Sequence, residues 1–172
     1  PDHFTEAPNA IRSATTKLRG ERVFLVGGEC SVAVGSMAGL SDGLGGRAGM
    51  LWMDAHGDFN TPQSSPSGYI GGMCLAMACG LGEAGEQGSH PLATERLVHV
   101  GSRALDQPEV QAFNSSPAKL YTAQRVRSQG AATVGEESAA HLANRSDWIA
   151  CHIDVDVVDP TVIPAVNYPT PG

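Results

Sequence analysis

Five short apolar runs, each ending at a glycine, a turn or an acidic residue, constrain this chain more than any other feature. Residues 22–26 (Arg-Val-Phe-Leu-Val) run into Gly27-Gly28, 48–53 into Asp54, 96–100 into Gly101, the weaker 120–122 into a polar stretch, and 148–155 into an acidic cluster. Their hydrophobicity is continuous rather than alternating, which is the pattern of strands covered on both faces. Between them lie helix candidates at 31–40, where Ser31 can cap the start, and at 72–80, 109–113 and 136–144. Strand, turn and helix in repetition predict an α/β domain with a mainly parallel sheet. A chain of 172 residues is long enough for one such domain with its own core.

The residues capable of chemistry collect at the carboxyl ends of these runs: Glu29 and Cys30, then Asp54, His56 and Asp58, then Asp154 and Asp156. In open α/β sheets that edge is where ligands bind. Side chains alternate along a strand, so Asp54, His56 and Asp58 can face one ion together. Their mix of carboxylate and imidazole suits Mn²⁺, Fe²⁺, Co²⁺, Ni²⁺ or Zn²⁺ better than Ca²⁺ or Mg²⁺. The bland alternative is a solvated acidic turn with a stray histidine. Asp154 and Asp156 leave an otherwise apolar run, and buried carboxylates without a cation are costly. Asp159, just before Pro160, reads as a loop-fixing residue. Four carboxylates and one imidazole are too many for a single divalent ion. They fit two ions sharing bridging carboxylates and a water whose pKa the pair lowers.

Composition narrows the class. The net charge is −7 with a pI near 5.2, and no Lys/Arg cluster is present, so the footprint of a nucleic-acid binder is missing. No apolar stretch is long enough to span a membrane, and the first residues do not read as a signal peptide. Cys30, Cys74, Cys79 and Cys151 are scattered without a CxxC pair, which suggests a reduced, cytoplasmic setting. Cys74, Cys79 and Cys151 read as small buried hydrophobes. The sequence starts without Met and stops just after a strand-like segment, so residues 1–172 are read as one domain, incomplete at both ends.

Three motifs in order make the reading specific. Gly27-Gly28-Glu29-Cys30-Ser31, Asp54-Ala55-His56-Gly57-Asp58 and Asp154-Val155-Asp156-Val157-Val158-Asp159-Pro160 resemble the Gly-Gly-Asp-His-Ser, Asp-Ala-His-x-Asp and Asp-x-Asp-x-x-Asp-Pro turns of the ureohydrolase (arginase/agmatinase) family. The likeness runs from about residue 23 to 172. It implies a three-layer α/β/α sandwich, a dinuclear Mn²⁺ hydrolase, a small guanidino substrate and a homo-oligomer, trimer or hexamer. By position, one metal would be held by Cys30, Asp54, Asp58 and Asp154, and the other by Asp54, His56, Asp154 and Asp156. Asp58 would also be the catalytic residue that orients the attacking hydroxide and handles its proton. Asn60, Ser65 and Ser67 fall where arginases hold an α-carboxylate, and Asp106 resembles the acid that meets the α-amino group.

Two positions depart from the family pattern. Cys30 stands where the first motif has His, and a thiolate is softer and prefers Zn²⁺ to Mn²⁺. Gly71 stands where arginases carry a proton-shuttling His, which removes a donor for the leaving amine. Both changes point to a substrate other than arginine. Residues 56–62 and 68–73 resemble a Cys-containing branch that hydrolyses N-omega-hydroxy-L-arginine to ornithine and hydroxyurea. The expected activity is therefore cleavage of the guanidino C–N bond of arginine or an arginine-like amino acid. The alternatives are a formimidoylglutamase, an agmatinase-type enzyme and a non-catalytic metal-binding relative.

Overall fold

A computed structural model describes residues 3–18, 21–45, 47–82 and 90–172. The element order is α1 (His3–Thr15), α2 (Ser31–Leu44), β1 (Ala48–Met53), a 3₁₀ turn (Ile70–Met73) leading into α3 (Cys74–Ala78), β2 (Leu97–Val100), α4 (Gln107–Ser115), β3 (Lys119–Tyr121), α5 (Ala123–Gln129), α6 (Ala131–Ala143), β4 (Trp148–Ile153) and a 3₁₀ turn (Val155–Val157). The four strands among the described residues are all parallel, in the order β3-β2-β1-β4. With β1 central, the chain builds outward through β2 and β3 and then crosses back to β4. The point where the order reverses lies between β1 and its neighbours, and in doubly wound sheets a crevice opens there.

Register shows which side chains share a face. Met50 pairs with Leu97 and Ala150, and Trp52 with His99 and His152. This face meets α2 and α3 through Val34, Met37, Leu75 and Met77, making the larger core cluster. On the opposite face Val98, Tyr121, Val134 and Leu142 close a smaller cluster, with Leu51, Val100 and Val126 against it. Helices on both faces give the three-layer α/β/α arrangement that the alternation of runs predicts. Among the described residues no helix is long and apolar enough to cross a membrane.

The structure corrects three local readings. Residues 22–27 form no strand, and Phe24 and Val26 are 92% and 81% exposed. An isolated apolar run gains nothing from extending unless another strand satisfies its backbone. β4 is apolar apart from His152 yet buried on one side only: Ile149, Cys151 and Ile153 are exposed while Trp148, Ala150 and His152 are partly covered. Cys151 is therefore not a core residue, whereas Cys74 and Cys79 are. Ser31 does not cap α2. Cys30 takes the cap position without a side-chain bond, and Ser31 Oγ instead bonds the Glu29 carboxylate. The helix α4 extends beyond the predicted 109–113 at both ends, α6 starts five residues before the predicted 136–144 and stops at Ala143, and α5 carried no readable apolar period.

Candidate metal centre

The cleft forms because β1 and β4 stop together. Met53 pairs with Ile153, and immediately afterwards Asp54 N donates to Val100 O (3.1 Å) and Asp154 N to Met53 O (2.9 Å). The two acidic turns thus leave the sheet side by side. Each folds onto its own leading carboxylate: Asp54 Oδ1 accepts from His56 N (2.8 Å), and Asp154 Oδ1 accepts from Asp156 N (2.9 Å). Asp156 Oδ1 ties the turns together by accepting from Ala55 N at 3.2 Å. Gly57 keeps its backbone hard against Glu109, where a Cβ would lie 2.5 Å from Oε1. Asp58 then adopts φ +49, a left-handed conformation that Asp tolerates better than most residues. Its carbonyl meets the start of α3 at Leu75 N (2.9 Å), and its side chain stays in the cleft.

The cleft has a volume of about 670 Å³, and all the metal-site residues named from the sequence line it: Cys30, Asp54, His56, Asp58, Asp154 and Asp156. So do Asn60, Ser65, Ser67 and Asp106. Two donor groups with ligand atoms close enough to share an ion are present among the described residues. One is Cys30, Asp54, His152 and Asp154, and the other is Asp54, His56 and Asp156. Asp54 belongs to both, as a bridging carboxylate would. Cys30 Sγ lies 3.2 Å from Asp154 Oδ2 and 4.0 Å from Asp54 Oδ2. His56 Nδ1 sits 3.0 Å from Asp156 Oδ2 and 3.5 Å from Asp54 Oδ1. Asp58 is in neither group, although it lies beside Cys30 and keeps one buried oxygen, Oδ2, without a hydrogen-bond partner among the described residues.

Electrostatics shows what this set lacks. Burial raises Asp54, and burial with the Asp54 charge raises Asp58 well above the usual carboxylate range. Burial and the carboxylates of Asp58, Asp54 and Asp154 push the Cys30 thiol far up. The bonds from Asp156 and then Asp54 push His56 up to about 10 against its own burial. Burial opposes ionisation of Asp156, but the His56 and Ala55 bonds hold its pKa below the ordinary value. Crowded anions, a thiol beside them and an unpaired buried oxygen fit a centre completed by divalent cations.

The substrate side is made by loops. Asn60 Nδ2 donates to Asp106 Oδ2 at 2.9 Å, and Asn60 Oδ1 accepts from Ser64 Oγ at 3.0 Å. Ser65 and Ser67 fold the 65–69 turn by accepting from Gly68 N and Tyr69 N. Glu109 organises this wall, with Oε1 accepting from Phe59 N and Oε2 from Asp106 N, each at 2.9 Å. Glu109, Tyr69, Tyr168 and His152 are cleft or near-cleft residues absent from the sequence reading. His152 had a signal, since it precedes Asp154 by two and so shares its side of the strand. Glu109 had one as the third helical residue after an Asp cap, a capping box. Asp159 fixes its loop as read, accepting from Thr161 N at 2.8 Å and Gly172 N at 2.7 Å.

The profile of the Arginase family matches residues 3–172. This chain belongs to the arginase family. The arginase of Bacillus caldovelox is 37% identical over 180 residues, covering 97% of this chain and 58% of the relative. The arginase of Brevibacillus brevis is 33% identical, covering 100% and 63%. The crystal structure of the Bacillus caldovelox arginase at pH 5.6 superposes with a TM-score of 0.91 at 32% identity, covering 99% of this chain and 59% of that one. This family member thus spans about three-fifths of the length of the relatives it matches. The family implies a dinuclear divalent metal centre, and the two donor groups sharing Asp54 are suited to one.

Proposed function

We propose that this arginase-family protein hydrolyses the guanidino C–N bond of arginine or an arginine-like amino acid, N-omega-hydroxyarginine included, giving ornithine and urea or a substituted urea. The observation carrying this reading is the meeting, in one cleft, of two donor groups sharing Asp54 with an amino-acid-sized polar wall of Asn60, Ser65, Ser67 and Asp106. Cys30, Asp54, His56, Asp58, Asp154 and Asp156 would hold two divalent ions, with Mn²⁺ the family's choice. Such a pair, when bound, supplies the Lewis acidity that makes water a nucleophile near neutral pH.

The protein's own groups do the rest. Asp106 and Asn60, joined by their hydrogen bond, offer an acceptor for an α-ammonium and a fixed amide for an α-carboxylate. Ser65 and Ser67 flank them on the same rim. Water adds to the guanidinium carbon, the free Asp58 Oδ2 takes its proton, and that proton passes to the nitrogen that departs as the C–N bond breaks. At position 71 a glycine supplies no donor for this last transfer, and the Tyr69 ring lies over it. This favours a substrate other than arginine itself. The protein's partners on this reading are the small guanidino substrate and further copies of itself, in a cytoplasmic trimer or hexamer.

The test is a substrate panel: arginine, N-omega-hydroxyarginine, agmatine and guanidinobutyrate with the full-length protein and Mn²⁺. Release of urea or hydroxyurea with ornithine is expected from the amino-acid substrates. Absence of turnover across the panel overturns the reading.

A further inference from the structure

His152 is absent from the ligand set proposed above, although it belongs to one of the two donor groups. It is the partner of Trp52 across the β1–β4 ladder, and its ring stacks on that indole with centroids 3.7 Å apart and planes at 23°. Its Nε2 is buried and finds no hydrogen-bond partner among the described residues. A buried donor or acceptor left unmet is costly, so a ring held this way lacks a partner. One of its nitrogens lies within 4.8 Å of a carboxylate oxygen of Asp54, another of Asp154, and the sulfur of Cys30, all mutually. The same indole that stacks on His152 also donates from Nε1 to Asp54 Oδ2 at 3.2 Å. Trp52 therefore orients two members of one cluster, one by its face and one by its N–H. Outer-shell partners of this kind are how protein metal sites hold their ligands.

We propose that His152 is a metal ligand, completing with Cys30, Asp54 and Asp154 a four-donor pocket that prefers Zn²⁺ or Co²⁺ to Mn²⁺. The neighbouring pocket of Asp54, His56 and Asp156 has no sulfur and keeps its affinity for harder ions. One thiolate, one imidazole and two carboxylates is a donor set for a four-coordinate borderline ion. Metal–ligand bonds near 2.1 Å would place tetrahedral donors about 3.4 Å apart, so a cluster within 4.8 Å closes by modest side-chain contraction. The inference deepens the reading of this cleft as a metal centre and is independent of which amidine it cleaves.

The experiment uses the whole protein stripped of metal by a chelator and titrated with Co²⁺ and Zn²⁺. Absorption spectra report thiolate–Co²⁺ charge transfer, and chelator competition reports affinity. In wild type, the thiolate band should rise with the first equivalent. His152→Ala should weaken Co²⁺ and Zn²⁺ at this pocket by more than about 100-fold, beyond the roughly 10–100-fold seen for outer-shell partners. His152→Gln serves as a second variant should the alanine protein fold poorly. In His56→Ala, X-ray absorption at the cobalt edge should still show imidazole scattering together with sulfur. Unchanged affinity in both His152 variants, or sulfur without imidazole in His56→Ala, overturns the assignment while leaving the metal centre intact. Failure of wild type to bind any ion overturns the metal centre itself.

Discussion

Position 71 and the Tyr69 ring compete for one volume. An added Cβ on Gly71 would lie 2.3 Å from Tyr69 Cε1, 2.7 Å from Cζ and 2.9 Å from the hydroxyl, while the backbone there has no positive φ to strain a larger residue. Any side chain at 71 must therefore evict the tyrosine. Tyr69 is 41% exposed and can swing outward, so the cost sits near the low end of overpacking, about 1 kcal/mol. Losing the tilted contact with Tyr168, at 5.4 Å between centroids, adds about 0.5–1 kcal/mol. Gly71→His should thus destabilise wild type by about 1.5–2 kcal/mol, yet cost close to nothing in a Tyr69→Ala background. Urea denaturation of wild type, both single variants and the double variant closes the cycle, with a coupling of at least about 1 kcal/mol expected. Turnover gives a parallel readout: the double variant, with a donor at 71 and room for it, should gain arginine hydrolysis relative to either single variant. Effects that add to within about 0.5 kcal/mol would show that Tyr69 and residue 71 do not share the space, and the reasoning fails.

Other residues give equally direct tests. Glu109→Ala leaves the Phe59 and Asp106 amides without their acceptor and should cost about 2–4 kcal/mol in thermal or urea unfolding while raising KM. An unchanged KM would mean that Glu109 does not position the Asp106 wall. Cys30→Ser should lower Zn²⁺ affinity and Cys30→His should shift preference toward Mn²⁺, read by metal content of the purified protein. Metal content and activity untouched by Cys30→Ser would remove Cys30 from the ligand set. His99 is fully buried in the core, edge-on to Phe113, and burial lowers its pKa to about 3. Below pH about 6.5 the unfolded chain binds a proton that the fold refuses, so its contribution to stability is lost as pH falls from there toward 3, at up to about 1.4 kcal/mol per unit. His99→Phe should remove that slope relative to wild type in denaturation series at several pH values, and parallel slopes would contradict it.

How much was legible depends on the range of the interaction. Asp54, His56, Asp58, Asp154 and Asp156 were readable because a strand that turns acidic at its carboxyl end has few other uses, and period two fixes which side each residue faces. The strands at 48–53 and 97–100 were readable because burial on both faces forces continuous hydrophobicity. The same rule failed at 22–26 and on the outer face of β4, since composition records what a segment can bury against and not whether the partner is there. His152 was passed over because a histidine inside an apolar run looks like core until its neighbour across the ladder is known to be Trp52. The part that Glu109 and Tyr69 play in the cleft was beyond local pattern, although a capping box marks Glu109 itself. Each acts on a segment distant in space or through the absence of a side chain elsewhere, at Gly57 and Gly71, and a glycine does not announce what occupies its missing Cβ.

The charge balance of the cleft bears on what it can accept. Asp54, Asp58, Asp154 and Asp156 bring four carboxylates together beside Cys30, and two divalent ions would offset the carboxylates and leave a bound thiolate's charge over. What remains at the mouth is acidic: Glu29 beside Cys30, and the exposed Asp106 held by Asn60. A site with no excess positive charge at its centre and a negative rim attracts a substrate that carries positive charge at both ends. An arginine-like amino acid does so through its guanidinium and its α-ammonium, with the carboxylate left to the Asn60–Ser65–Ser67 turn. An amidine carrying a second carboxylate at the far end would face Glu29 and Asp58 with like charge, and among the described residues no Lys or Arg lines the cleft to relieve it. On the proposed reading, a dicarboxylate amidine such as formimidoylglutamate should be turned over less well than an arginine-like amino acid, and equal turnover of the two, with formimidoylglutamate added to the substrate panel, would refute this charge argument.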